Sequence, residues 1–397
     1  MDRSELLEVL SPEGLRLLDS LPPYHSDRDV LRMVSDLRKA GHSAGLVAAV
    51  LTQAKLRSKA QAKFGEFGDR MLFTDAGLEQ ATRLPVAARH AGRFAAAGLH
   101  RVADLGCGIG GDAMAMAALE LDVLAVEADE VTAAIASYNL APFPNATVVN
   151  ELAERTDLRG IDGVFLDPAR RTPGHGQTTR LTDPDDYSPS LNFAFELATG
   201  LSVGIKLGPG LDRDLIPSTA EAQWISVDGQ LVEMGLWFGA LARPGIRRAA
   251  LVLDGDRSHE LVAPADSEDV DAGPMGEYLY EPNGAVIRAR LIGDLARLIG
   301  ARMLSDGIAY LTADEATSTP FAAGFRILET LPYQERELKR ALKERGIGTL
   351  EIKKRGVDVD PATLRKRLSL SGSRSATLVL TRVAGKHTAL LVERLTA

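Results

Sequence analysis

A glycine-rich stretch bordered by acidic residues is the part of this 397-residue chain best suited to chemistry. The segment Asp104-Leu-Gly-Cys-Gly-Ile-Gly-Gly places Gly106, Gly108 and Gly110 directly after a short apolar run. Glycines at this spacing permit positive φ angles, and they let backbone N–H groups approach a ligand where a Cβ atom would clash. The pattern predicts a nucleotide-binding turn between a strand and a helix.

Two acidic residues limit which nucleotide ligand this turn is expected to bind. Asp104 lies two residues before the first glycine, where it suits a cationic amino-acid group better than a pyrophosphate. Glu127 closes the next apolar run, where a carboxylate can accept hydrogen bonds from both ribose hydroxyls. Together they favour S-adenosylmethionine over NAD, although Glu127 could also be a solvated acid at a strand end. Cys107 has no His near it in the sequence, so we interpret it as a packing residue.

A second group of candidates, Asp167-Pro168-Ala169-Arg170-Arg171, follows the apolar run that ends at Leu166. Pro168 fixes the backbone, so that the Asp167 carboxylate can border the cofactor and orient a substrate amine toward its methyl group. Arg170 and Arg171 could clamp a phosphate or a carboxylate. The alternative is an Asp-Pro turn that only ends a strand, with solvated arginines.

Lys206 ends the following apolar run, so we expect it beside Asp167 at the same edge of a sheet. It either binds a substrate phosphate or pairs with Asp167, and the sequence does not decide between the two. We predict Asp167, Pro168 and Lys206 as the catalytic group, with Glu233 as a weaker candidate. The segment from Phe73 to Thr82 either closes over the cofactor or only caps a helix.

Short apolar runs alternate with helical patterns from about residue 100 onward, which predicts an α/β fold with a Rossmann-like parallel sheet. Four parts are expected: a helical N-terminal region (1–98), the sheet-containing core (99–255), a mixed α/β connecting region (256–330) and a small basic α/β domain (331–397). Residues 254–267 are polar and predict a loop, and residues 285–299 predict one helix. The predicted core strands cover residues 101–105, 122–127, 146–149, 161–166, 201–206, 223–227 and 249–253.

Composition excludes several classes of protein. The chain is 45% hydrophobic and 25% charged, has one cysteine and carries a net charge of −8. These values exclude an internal disulfide and a cysteine-based zinc site, and we expect no bound metal. With no long apolar run and no basic, apolar leader, we expect neither a membrane span nor secretion, and a cytoplasmic location.

Positive charge is concentrated at the C-terminal end. Residues 331–397 hold 15 Lys and Arg against 7 Asp and Glu, a net charge of +8, which leaves −16 on the other 330 residues. Such asymmetry suggests a module that binds a polyanion, although it could also be the solvated surface of a small domain. The cations expected to meet phosphates are Lys353, Lys354, Arg355, Arg365, Lys366 and Arg367.

The glycine turn, the Val126-Glu127-Ala-Asp segment and Phe165-Leu-Asp-Pro168 together resemble the class I S-adenosylmethionine-dependent methyltransferases, including the trimethylguanosine-synthase-like RNA enzymes. A closer resemblance is to bacterial methyltransferases that end in a THUMP-like domain. The segments that carry it are Leu56-Arg-Ser-Lys-Ala60, Leu78-Glu-Gln-Ala-Thr82, Asp167-Pro-Ala-Arg-Arg171, Lys206-Leu-Gly-Pro-Gly210 and Glu351-Ile-Lys-Lys-Arg-Gly356. The resemblance spans nearly the whole chain and implies S-adenosylmethionine as methyl donor and an RNA substrate, in which a tRNA or rRNA base would be methylated.

The chain departs from amino-methylating relatives at one place. Those enzymes usually follow Asp/Asn-Pro with a second proline and an aromatic residue that stacks on the target base, whereas this chain has Ala169 and Arg170. Stacking then comes from an arginine plane or from Phe64, Phe67 or Phe73, or the target is not a base amine. Two alternatives stay open: a non-catalytic RNA-binding protein on the same scaffold, and a methyltransferase of a small molecule or a protein.

Overall fold

The computed structural model of this chain describes residues 1–22, 27–170 and 187–395, apart from the side chains of 27–29, 169 and 170. The chain divides into two compact units. The first unit comprises Met1–Leu207 and Trp237–Ala242, and the second comprises Gly208–Leu236 and Arg243–Ala397. This division differs from the four predicted parts, whose boundaries stay a prediction.

The first unit begins with helices, as its strong helix formers predict. These helices are α1 (Arg3–Leu10), α2 (Pro12–Ser20), α3 (Asp27–Lys39), α4 (Ala44–Phe64), α5 (Asp75–Gln80) and α6 (Leu84–Ala96). Later helices alternate with strands and are α7 (Gly111–Ala118), α8 (Glu130–Leu140) and α9 (Leu191–Leu197). Along the described residues, no helix is both long enough and apolar enough to cross a membrane.

The strands of the first unit form a parallel sheet in the order β7-β4-β1-β2-β3. They are β1 (Arg101–Leu105), β2 (Asp122–Glu127), β3 (Ala146–Asn150), β4 (Gly163–Leu166) and β7 (Ser202–Leu207), and a separate short pair is β5 (Ala169–Arg170) with β6 (Tyr187–Ser188). The central strands β1 and β4 are buried almost throughout, which explains why they appear in the sequence as apolar runs rather than alternating patterns.

Glycines inside two of these strands make room for aromatic rings. A Cβ on Gly204 in β7 would lie 2.6 Å from the ring of Trp237, and one on Gly163 in β4 would lie 3.1 Å from Phe94. Trp237 also packs at 5.6 Å from the His90 ring. Because Gly204 has no side chain, the Trp237 ring can pack directly against β7, the strand that carries Lys206.

The second unit is rich in strands. They are β8 (Glu221–Val227), β9 (Gln230–Trp237), β10 (Arg248–Asp254), β11 (Arg257–Ala263), β12 (Tyr278–Pro282), β13 (Arg302–Ser305), β14 (Ile308–Ala313), β15 (Ala322–Leu331), β16 (Ile347–Lys354), β17 (Arg374–Val383) and β18 (Lys386–Arg394). Its helices are α10 (Gly284–Arg288), α11 (Ile292–Leu298), α12 (Glu335–Glu344) and α13 (Pro361–Leu368). Strands β12 to β18 form one seven-stranded sheet in the order β13-β14-β12-β15-β18-β17-β16, and Trp224 is buried in β8.

Two predictions for the second unit are wrong. The polar stretch 254–267 contains β11, which pairs antiparallel with β10 and has one buried residue, Ala263. An edge strand of this kind carries polar residues and gives no apolar signal. The single helix predicted over 285–299 is two helices, because Arg290 between them has a φ of +60°. Neither Gly nor Pro marks that break.

Strand β9 had no place in the sequence prediction, although the chain carries a signal for it. Asp228 and Gly229 connect β8 to β9, with φ angles of +49° and +77°. An Asp-Gly pair with both residues at positive φ is the preferred two-residue hairpin turn. The dipeptide therefore predicts the hairpin, whereas the buried strand after it is not distinctive by composition.

Candidate functional site

The glycine turn lies between β1 and α7, as its spacing predicts. Gly106, Gly108 and Gly110 have φ angles of +84°, +56° and +89°, a region that other residues rarely adopt. A Cβ on Gly108 would meet nothing within 4 Å, and one on Gly106 would come no closer than 3.6 Å to any atom. The turn thus borders open space at Gly108, as the approach of a ligand requires, whereas Gly106 lies beside the Asp167 carbonyl oxygen.

Asp104 lies in β1 and is 1% exposed. Within the described residues its Oδ2 atom has no hydrogen-bond partner. Burial, together with the nearby carboxylates of Asp112 and Asp167, raises the pKa of Asp104 well above its usual range. A buried acceptor without a partner is costly, so this carboxyl group fits the cationic amino group of S-adenosylmethionine.

Glu127 ends β2 and is half-buried. Its Oε2 accepts a hydrogen bond of 3.0 Å from the N–H of Gly108, and its Oε1 accepts one of 2.9 Å from the N–H of Asp129. Burial raises the pKa of Glu127, and those two N–H groups act in the opposite direction. Because it is tied to the glycine turn, Glu127 is not a simple solvated acid, and its position suits a ribose.

Cys107 lies in the same turn and is 8% exposed. Burial, followed by the carboxylates of Asp104 and Glu127, raises the pKa of its thiol well above the usual value. A thiolate nucleophile is therefore disfavoured, in agreement with a packing role.

Asp167 and Lys206 form an ion pair at the ends of the neighbouring parallel strands β4 and β7. The Lys206 Nζ lies 2.5 Å from the Asp167 Oδ2, and it also donates to the Gln80 carbonyl oxygen at 3.3 Å. The Asp167 side chain keeps 33% exposure and that of Lys206 keeps 11%. Of the two alternatives for Lys206, the structure contains the pairing with Asp167, which leaves the carboxylate accessible. Pro168 is buried next to it.

A second lysine at this edge was not predicted. The Lys63 Nζ at the end of α4 donates to the carbonyl oxygens of Glu79 and Ala81 at 2.5 and 2.7 Å. Burial and then the positive charges of Lys206 and Arg83 lower the pKa of Lys63. In sequence Lys63 is one of several polar residues on a helix, so only the fold identifies it as a neighbour of the Asp167–Lys206 pair.

A buried polar network anchors the helix after the glycine turn. Asp112, in the first turn of α7, accepts hydrogen bonds from the Thr82 hydroxyl at 2.6 Å and pairs with the His90 Nδ1 at 2.8 Å. Although burial alone would raise the pKa of Asp112, the contacts with His90 and Thr82 hold it below its usual value. His90 was missed because its partners are 22 residues away in the chain.

The segment Phe73–Thr82 contains a helix cap. The Thr74 hydroxyl accepts a 2.9 Å hydrogen bond from the N–H of Gly77, which supports the capping interpretation. Of the aromatic residues considered for base stacking, Phe64 and Phe73 are buried, whereas Phe67 is 57% exposed. Only Phe67 among these three presents a ring to solvent.

The remaining predicted residues lie elsewhere. The Arg170 side chain and all of Arg171 are outside the described residues. In the second unit, Lys353 pairs with Glu281 at 2.7 Å, Lys354 is exposed, and Arg355 stacks on the Tyr310 ring. Glu233 is buried in β9 of the same unit. The side chains described include no cluster of three His, Cys, Asp or Glu that would suit a metal ion.

Two curated relatives cover most of this chain. They are uncharacterized S-adenosylmethionine-dependent methyltransferases from two strains of Mycobacterium tuberculosis, each 35% identical over 339 residues, which is 83% of this chain and 90% of the relative. This chain belongs to the S-adenosylmethionine-dependent methyltransferases. S-adenosylmethionine is accordingly its cofactor, as the glycine turn and its two acids predict.

A solved structure has the same fold as this methyltransferase. It is the crystal structure of a protein proposed to be a methyltransferase, from Porphyromonas gingivalis W83, which aligns with a TM-score of 0.75 over 100% of both chains at 21% identity. The predicted fold class, a class I methyltransferase core with a helical N-terminal region and a small C-terminal α/β domain, is confirmed.

Two family models match parts of the methyltransferase. Residues 322–394 match the THUMP domain-like family, and residues 2–60 match a domain of unknown function, DUF8688. The first match confirms the predicted THUMP-like domain. It begins at the first residue of β15, nine residues before the predicted boundary, because that strand pairs with β18 of the same sheet.

Proposed function

We propose that this methyltransferase modifies RNA and that the pair Asp167–Lys206 receives the acceptor group. The observation that supports an RNA substrate is the match of residues 322–394 to the THUMP domain-like family. Residues 331–397, most of which lie in this match, carry a net charge of +8. A basic module of this kind is suited to a polyanion. A base of tRNA or rRNA as the target, and a cytoplasmic location, are further parts of the proposal.

The methyl donor would be held by the residues around the glycine turn. Asp104 would accept hydrogen bonds from the cationic amino group, Glu127 would accept from the ribose hydroxyls, and the backbone at Gly106, Gly108 and Gly110 would lie against the ligand. When bound, S-adenosylmethionine supplies an electrophilic methyl group. The open space beside Gly108 supports this placement.

The acceptor would be positioned by Asp167. Its accessible carboxylate can accept a hydrogen bond from an N–H group and so turn the nitrogen lone pair toward the donor, which is the main contribution that methyl transfer needs. Lys206 would hold the carboxylate ionised and in one orientation. Pro168 would fix the backbone between them, and Arg170 and Arg171 would meet a phosphate of the substrate.

Transfer of a radiolabelled methyl group from S-adenosylmethionine to total RNA and to total protein tests the substrate. We expect label in the RNA fraction, and an Asp167→Asn variant should lose most of it. Label in the protein fraction alone would contradict the RNA proposal and favour the protein alternative. If calorimetric titration gave no binding of S-adenosylmethionine, the non-catalytic alternative would replace the proposal.

A further inference from the structure

The second unit contains a cavity of about 1060 Å³. Its lining includes the cations Arg257, Lys353, Arg355 and Arg394, together with hydroxyl side chains of the loop 317–319. The acids on its wall are Asp228, Asp254 and Glu281. This cavity is separate from the glycine turn and from the Asp167–Lys206 pair, which belong to the first unit.

In the segment Lys353-Lys354-Arg355-Gly356 at the end of β16, successive cationic side chains lie on opposite sides of the strand. Lys353 and Arg355 line the cavity, whereas Lys354 between them is exposed and does not line it, as the alternation of side chains along an extended strand requires. Gly356 has a φ of +72°, and a Cβ there would lie 2.5 Å from the Cδ1 of Ile308 in β14. The glycine thus lets the end of β16 approach β14 and brings Arg355 to its place.

Two guanidinium groups at the cavity are held on buried aromatic rings. The Cζ of Arg355 lies 5.5 Å from the centroid of Tyr310, and the Cζ of Arg394 lies 5.3 Å from that of Phe325. Both rings are 0% exposed, and Phe325 pairs with Arg394 in the register of β15 and β18. A cation–π contact of this kind favours one position of the guanidinium group over the ring before any ligand arrives.

The cavity cations differ in their partners. Lys353 pairs with Glu281 at 2.7 Å, and Arg257 pairs with Asp254 at 2.8 Å. Within the described part of the chain, Arg355 and Arg394 have no carboxylate at ion-pair distance, and the buried Nε of Arg355 donates to no acceptor. Two oriented guanidinium groups without a counter-ion indicate a site for an anion.

We propose that this cavity binds backbone phosphates of the RNA substrate through Arg355 and Arg394. Fixed guanidinium groups match the bidentate geometry of a phosphate, and a volume of about 1060 Å³ accommodates more than a single phosphate. The hydroxyl groups of the loop 317–319 offer further donors to phosphate or ribose oxygens. The inference rests on the proposed RNA substrate and names where that substrate is held.

Fluorescence anisotropy of the full-length protein with a labelled single-stranded RNA of mixed sequence tests this site. We expect Arg355→Gln and Arg394→Gln each to raise the Kd by about threefold to tenfold and to reduce the slope of log Kd against log salt by about one. Lys386→Gln removes the same charge from an exposed residue of β18 that does not line the cavity, so it should change the Kd by less than about twofold. Arg355→Lys keeps the charge without the planar group and should recover only part of the affinity.

Calorimetric titration with S-adenosylmethionine checks each variant for an intact first unit, and a thermal melt checks its second unit. If Arg355→Gln and Arg394→Gln bind RNA as tightly as Lys386→Gln does, the phosphate site is wrong while the RNA substrate stands. If the unaltered protein binds no RNA, the proposed function itself fails. Tight binding of inorganic phosphate, or displacement of the RNA by poly-glutamate from the same two arginines, would overturn RNA as the occupant.

Discussion

The Oδ2 atom of Asp104 lowers the stability of the folded protein, and the same atom is proposed to bind S-adenosylmethionine. Its Oδ2 is buried and has no hydrogen-bond partner in the described part of the chain, and burial and two neighbouring carboxylates raise its pKa. For a carboxyl group whose folded pKa is raised, ionisation destabilises the fold as the pH rises from the usual carboxyl range through the raised pKa, and the cost is full above it. A cationic ligand would remove this cost on binding, so under the proposed assignment S-adenosylmethionine relieves a destabilisation that the unliganded protein carries.

The substitution Asp104→Asn should therefore separate stability from binding. At neutral pH we expect a higher Tm than in the unaltered protein and, by calorimetry, a Kd for S-adenosylmethionine raised about tenfold to 100-fold. Below the usual carboxyl range, the two melting temperatures should converge. A lower Tm at neutral pH together with unchanged affinity would contradict the assignment of Asp104.

Lys206 is expected to act on the acceptor side rather than on cofactor binding. Replacement by Met removes the ion pair between Lys206 and Asp167, so kcat should fall about tenfold or more while the KM for S-adenosylmethionine changes little. Steady-state kinetics with RNA as acceptor measure this split. Lys63→Met serves as a comparison and should have a smaller effect, because Lys63 donates its hydrogen bonds to backbone carbonyl oxygens and acts on Asp167 only through its charge. If the Lys206 variant instead lost affinity for S-adenosylmethionine, the Asp167–Lys206 pair would be assigned to cofactor binding rather than to the acceptor.

At the scale of elements, Asp112 joins α7 to α6 and to the segment that precedes α6. It lies in the first turn of α7, Thr82 lies just before α6, and His90 lies within α6. The same stretch after α5 provides the carbonyl oxygens of Gln80 and Ala81, which receive Lys206 and Lys63. The residues Gln80–Thr82 therefore connect the helix that follows the glycine turn with the lysines at the acceptor pair.

Asp112→Asn should lower the stability of the fold by about 3 kcal/mol, since it removes one partner of a buried charged pair. Thr82→Val removes a single hydroxyl and should cost only about 1 kcal/mol. Chemical denaturation measures both. The lowered pKa of Asp112 means that its contribution is present above the usual carboxyl range and is lost as the pH falls through that lowered pKa. Equal effects of the two variants would show that the His90 contact contributes little.

At the scale of the whole molecule, charge is distributed unevenly along the chain. The last 67 residues carry +8 and the first 330 carry −16. Several C-terminal cations are already engaged within the protein: Arg365 donates to the Leu350 carbonyl oxygen, and Arg367 pairs with Glu335 at 3.1 Å. The charge available to a polyanion is therefore smaller than the count implies.

RNA affinity should still depend strongly on salt. With about three phosphate contacts, we expect the Kd to rise at least tenfold between about 50 and 200 mM salt. Anisotropy titrations at several salt concentrations measure the slope. A Kd that stayed constant over this range would exclude phosphate contacts as the basis of RNA binding.

The sequence predicts best where one residue type has one physical reason to be present. Glycines at positive φ, buried parallel strands and the acids that follow them were all visible, so β1, β2 and the positions of Asp104 and Glu127 could be predicted. Contacts between distant segments were not, because no local pattern brings His90 to Asp112 or Lys63 to the acceptor edge. Edge strand β11 was missed for a different reason: its residues are largely polar, so the sequence shows no apolar run there.

Trp224 and Trp237 are the only two tryptophans in the sequence, and each is 1% exposed. One lies in each compact unit. Intrinsic fluorescence of this methyltransferase is therefore a sum of two buried reporters, each with an arginine guanidinium group over its ring. A Trp224→Phe variant leaves emission from the unit that holds the glycine turn, and Trp237→Phe leaves emission from the unit that holds the THUMP-like sheet. The two spectra, followed through denaturant, would reveal whether the halves of the enzyme unfold in one transition or in two.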